Sequence, residues 1–188
     1  MGVRMASQMK AWEVMSILEV VQHFHRWMNP QTARAGQCGT IQVMLMQPSQ
    51  ADVRRFFCSV YAKALAGQAL EAIETIASLW IDEHPEYHAE LADVDAALLN
   101  MAVAEEGKTN AFLHLSMHLS ISEQCSIDQP AGVRQAVELL AVRRDSLHDA
   151  HHVAMDCLGR MVWESQRSGR PPDGQAYLDE LRRQATRD

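Results

Sequence analysis

The chain has 188 residues, 47% of them apolar, and a net charge of -7. That length can bury one sizeable core, and that apolar share excludes disorder throughout. The negative balance argues against nucleic acid as the main partner, because phosphate binding needs a basic surface.

No run of 18 apolar residues is present, so no membrane span is expected. Lys10, Glu13 and Glu19 interrupt the apolar runs near the N-terminus, so no signal peptide is read there. The cysteines Cys38, Cys58, Cys125 and Cys157 are scattered, with no Cys-x-x-Cys. That pattern points to reduced thiols and a cytoplasmic location rather than to a disulfide framework.

In chain order, residues 10–28 fit a helix carrying Trp12, Met15, Leu18, Val21 and Met28, and residues 29–39 read as a polar linker. Residues 1–43 are therefore expected to be an extension or the product of a wrongly assigned start codon. Residues 44–188 are expected to form a single helical domain. Its first clear helix begins near Ser49 with the stripe Val53, Phe56, Phe57, Val60 and Ala64, and Gly67 supplies a stop. A second runs from about Ala69 to Glu83 with the stripe Leu70, Ile73, Ala77, Trp80 and Ile81. Pro85 breaks it or opens a short new helix through His88 and Leu91.

Residues 100–109 read as a loop, and Asn110 as the N-cap of a helix to about Ser126. A helix with Val133, Val137 and Leu140 follows, then one from Ser146 to Ser168. Asp173 caps a last helix with Tyr177, Leu178 and Leu181. Strand signals are poor. The fold class is therefore all-α, a compact antiparallel bundle of about five to seven helices.

Histidine is the outlier: nine in all, seven of them between His84 and His152. Three pairs are spaced i, i+4: His84 with His88, His114 with His118, and His148 with His152. Random placement would give roughly 0.4 such pairs. Residues four apart share one helix face, where two imidazoles can converge on one metal ion.

On the helix after Asn110, at 100° per residue, His118 lies about 40° from His114, flanked by Ile121 and Cys125. Ser116, Ser120 and Glu123 fall opposite, as an expected polar face. On the helix after Ser146, His152 lies about 40° and Asp156 about 80° from His148. That places Asp156 as the carboxylate ligand or as the acceptor that orients a ligating histidine. His151 falls on the apolar stripe of Leu147, Met155, Leu158 and Val162.

The candidate metal ligands are thus His84, His88, His114, His118, His148, His152 and Asp156. An imidazole-rich set suits a transition metal, with Fe or Zn first, and a metal-dependent enzyme is one option open to such a site. The alternative is a non-catalytic interaction or structural protein whose histidines form a buried network. A third reading makes Cys125 or Cys157 a nucleophile beside a histidine; a buried apolar role suits both better. Asp149 stands where a zincin H-E-x-x-H would have its general base, and its shorter side chain makes that protease reading weak. Oligomeric state, reaction and substrate stay open, with a homo-oligomer among the options.

Several runs resemble a bacterial family catalogued as a domain of unknown function, number 1841. They are R-R-F-F (54–57), H-P-E-Y-H (84–88), G-K-T-N-A-F-L-H-L-S-M-H (107–118), M-D-C-L (155–158) and W-E-S-Q-R-S-G-R-P-P-D (163–173). The resemblance spans about Met46 to the last helix. It implies the domain boundaries and a helical fold, but no activity. Ala111 stands where the family usually has Pro. H-D-A-H-H stands where it usually has H-E-x-E-H, which leaves any role for an acid at 149 or 151 open.

Overall fold

The computed structural model describes residues 49–99 and 110–187. The expectations for residues 1–43 and for the 100–109 loop lie outside them. Among the described residues the secondary structure is entirely helical: α1 (Gln50–Leu65), α2 (Ala72–Asp82), a 3-10 turn (Pro85–Tyr87), α3 (His88–Leu91), α4 (Val94–Leu99), α5 (Ala111–Ile127), α6 (Val133–Arg144), α7 (Leu147–Ser168) and α8 (Gly174–Thr186). No described helix is long and apolar enough to cross a membrane. The chain divides into two compact units, one ending at Leu119 and the other beginning, for the described residues, at Ser120.

In the first unit, α1 starts on a capping box. Ser49 Oγ accepts from the Asp52 N–H, and the Asp52 carboxylate accepts from the Ser49 N–H. Helix α1 packs on α2, α3 and α4, burying Phe57, Val60, Ala77, Trp80, Ile81 and Leu91. Ala64 proves exposed, and the buried positions of α1 include Arg54, whose guanidinium lies 4.6 Å from the centre of the Phe112 ring.

Helix α2 begins at Ala72 rather than near Ala69, because the Glu74 carboxylate caps the Glu71 N–H. The same carboxylate ties α2 to α1 through Lys63 at 2.6 Å. With that start, Ile73 sits in the exposed first turn, and the buried stripe is Glu74, Ala77, Trp80 and Ile81.

The second unit packs α6, α7 and α8 against one another around Val137, Leu140, Met155, Leu158, Tyr177 and Leu181. The end of α5 belongs to it and is closed by Arg134, which donates to the carbonyls of Cys125 and Ser126 at 2.7 Å each. Those are carbonyls that a helix end leaves without an intrahelical donor. Ser146 caps α7, Gly169 ends it in the left-handed region (φ 66°), and Asp173 caps α8. Leu147, expected on the core stripe of α7, is exposed in its first turn.

Helix α5 overturns one expectation. Ser116 and Ser120 are buried, so its supposed polar face is not a solvent face; only Glu123 is exposed there. Ser116 tolerates burial because its hydroxyl donates to the Phe112 carbonyl one turn back, at 2.6 Å.

Candidate metal centre

Within the first unit, α5 places His114 and His118 one turn apart, and the end of α2 delivers His84 to them. All three are buried: His84 is 3% exposed, His114 9% and His118 0%. Their Nε2 atoms form a nearly equilateral triangle. The edges are 2.9 Å from His84 to His118, 3.2 Å from His84 to His114 and 3.2 Å from His114 to His118.

The three edges of that triangle cannot all be hydrogen bonds. Each imidazole nitrogen is either an N–H or a lone pair. In a ring of three, at least one edge must join two of the same kind. A cation facing three lone pairs satisfies all of them at once, and these side chains are among those grouped closely enough to hold one. Edges of 2.9–3.2 Å are short enough for His84, His114 and His118 to hold one ion at the usual metal–imidazole distance of about 2.0–2.1 Å.

Aromatic rings hold the imidazoles in place. Trp80 stacks on His118 with centroids 4.1 Å apart and planes 18° apart. Tyr87 stacks on His84 at 5.2 Å and meets His114 edge-on at 5.6 Å. The outer nitrogen of His84, Nδ1, lies 2.7 Å from Glu86 Oε1. Partial desolvation raises the Glu86 carboxyl, but the hydrogen bonds to His84 and to its own backbone, with the His84 and His114 imidazoles nearby, outweigh it and leave the group below its ordinary value.

Of the remaining predicted ligands, His88 belongs to the same unit. His88 points its Nε2 at the Ile81 carbonyl, 3.0 Å away, and packs its ring on Tyr61. With Nε2 engaged there, His88 is not grouped with the three triangle nitrogens. The cause is local. His84 has φ -126° and ψ 63°, and Pro85 opens a 3-10 turn, so the two histidines do not share a helix.

In the second unit, His148 and His152 pair on α7 with ring centroids 4.3 Å apart, both half-buried. Asp156, one turn further, is exposed. His151 is buried; desolvation, with His152 and His148 adding to it, lowers its pKa to about 3. Glu86 is the residue that sequence reasoning missed. Its signal was the Pro between it and His84, which folds the segment back on itself.

The thiols are poor nucleophiles. Burial, aided by Glu138, pushes Cys125 up to about 11, and burial pushes Cys157 up to about 12. Those values favour the apolar role for both cysteines.

A family model described as "Domain of unknown function (DUF1841)" matches residues 49–183. No curated protein and no solved structure matches the chain. The matched span takes in the whole imidazole triangle, α6, α7 and most of α8, and the chain belongs to the DUF1841 family.

Proposed function

We propose that this chain binds a transition-metal ion through His84, His114 and His118. The observation that carries the reading is the closed triangle of three buried Nε2 atoms, whose edges cannot all be hydrogen bonds but whose lone pairs can all face one cation. Three neutral nitrogen ligands suit Zn or Fe over Mg or Ca, with Zn and Fe the first expectations. Three protein ligands also leave coordination positions open. An ion held that way can polarise a carbonyl or phosphoryl oxygen and lower the pKa of water, as hydrolytic and redox metal sites do.

The test is elemental mass spectrometry on untagged protein and on His114→Ala/His118→Ala. Near-stoichiometric Zn or Fe in the wild type and none in the variant is the expected result. A metal-free wild type, even after anaerobic reconstitution with Zn and with Fe(II), would overturn the reading. His148 and His152 keep their sequence-based candidacy as ligands. His148→Ala and His152→Ala, measured separately in the same way, report whether either changes the metal content.

A further inference from the structure

The segment His84-Pro85-Glu86-Tyr87 is a self-contained clip. His84 leaves the α2 helix, and Pro85, which needs no donor at the first position of a turn, opens the 3-10 turn. The turn closes with the Tyr87 N–H on the His84 carbonyl at 3.0 Å. This geometry returns the Glu86 carboxylate to the imidazole two residues before it, at 2.7 Å, the length of a charge-assisted hydrogen bond. Glu86 is itself 56% exposed, so its own burial does not demand that bond.

The consequence falls on the other nitrogen of the ring. A carboxylate accepts but cannot donate, so Nδ1 carries the hydrogen, and in the neutral ring Nε2 then keeps a lone pair. The opposite tautomer would point an N–H into the triangle and block a cation.

We propose that Glu86 is a positioning residue of the metal centre: it locks His84 in the Nδ1–H form, so that the Nε2 lone pair faces His114 and His118. The role rests on the metal reading of the triangle, yet half of it can be read without metal. Carboxylates that orient ligating histidines in this way are typically worth 10–100-fold in metal affinity.

Two measurements on folded wild type, Glu86→Gln and Glu86→Ala test it. Long-range nitrogen–proton NMR of metal-free protein at pH 8 reads the His84 tautomer. The proton is expected on Nδ1 in the wild type and in Glu86→Gln, whose amide oxygen still accepts, and shifted toward Nε2 in Glu86→Ala. Zinc competition titration reads affinity: Glu86→Ala should bind about 10–100-fold more weakly, and Glu86→Gln should recover most of that loss. A wild-type His84 protonated on Nε2 would overturn the positioning role. So would Glu86→Ala binding zinc as tightly as wild type, or Glu86→Gln losing as much as Glu86→Ala. A wild type with the Nδ1–H tautomer that takes up no zinc would overturn the metal centre instead.

Discussion

Replacing His151 separates a core histidine from the ligand set by a measurement that needs no metal. His151 is 3% exposed, and desolvation, with His152 and His148 nearby, lowers its pKa to about 3. In the unfolded chain it titrates near the ordinary value of about 6.5. Between those two values the unfolded state binds a proton that the folded state does not. Stability from this group is therefore intact above about pH 6.5 and falls as the pH drops toward 3. From pH 7.5 to pH 5.0 the loss is about 2 kcal/mol, the free energy of protonating the unfolded imidazole over that interval.

Urea unfolding of chelator-treated protein at the two pH values gives the comparison. Wild type should lose about 2 kcal/mol more than His151→Leu or His151→Gln, neither of which can titrate there. A difference between either variant and wild type at pH 7.5 does not affect the test, since only the pH-dependent part is compared. Equal pH dependence in all three proteins would refute the reasoning, because it would mean that His151 takes up its proton in the folded state.

Two further predictions concern buried groups of the second unit. With Cys125 pushed up to about 11 and Cys157 to about 12 by burial first, native protein at pH 8 should alkylate at either site at least about a hundredfold more slowly than in urea. Peptide mapping after iodoacetamide checks this, and fast native labelling of either residue would restore the thiol reading. The Tyr177 hydroxyl is buried and makes no hydrogen bond among the described residues, so Tyr177→Phe should leave stability unchanged or raise it by up to about 1 kcal/mol. A loss of more than about 1 kcal/mol on thermal unfolding would show that the hydroxyl is satisfied after all.

Helix existence and most boundaries were legible because they depend on local chemistry. Ser49, Asn110, Ser146 and Asp173 are caps whose side chains accept the first helical N–H groups, and Gly169 takes the left-handed stop. Facing was less legible. A helical wheel assumes one solvent side, and α5 has none from Ala111 to His118, so the same spacing that placed its histidines inward also misplaced Ser116. Ile73 and Leu147 mark the complementary error. Each lies in the first turn of its helix, where the periodicity of the stripe runs on after the packing that justifies it has ended.

The site was legible only in part, because the i, i+4 rule carries a hidden premise: both residues must lie in one uninterrupted helix. His114 and His118 meet it, and their Nε2 atoms stand 3.2 Å apart. His84 and His88 do not, because Pro85 starts a tighter turn between them, sending one imidazole to α5 and the other to the Ile81 carbonyl. The same Pro that breaks the expected pair makes the local contact that spacing could not show, between His84 and Glu86. His151 makes the converse point. It adds to the histidine excess that first drew attention to a metal, yet its burial suits a neutral core imidazole. The number of histidines is therefore a weaker guide to a metal centre than where their second nitrogens go. A ligand needs one nitrogen held by a partner and the other left as a lone pair, and the placement of His84, with Glu86 at Nδ1 and Nε2 turned to His114 and His118, suits both conditions.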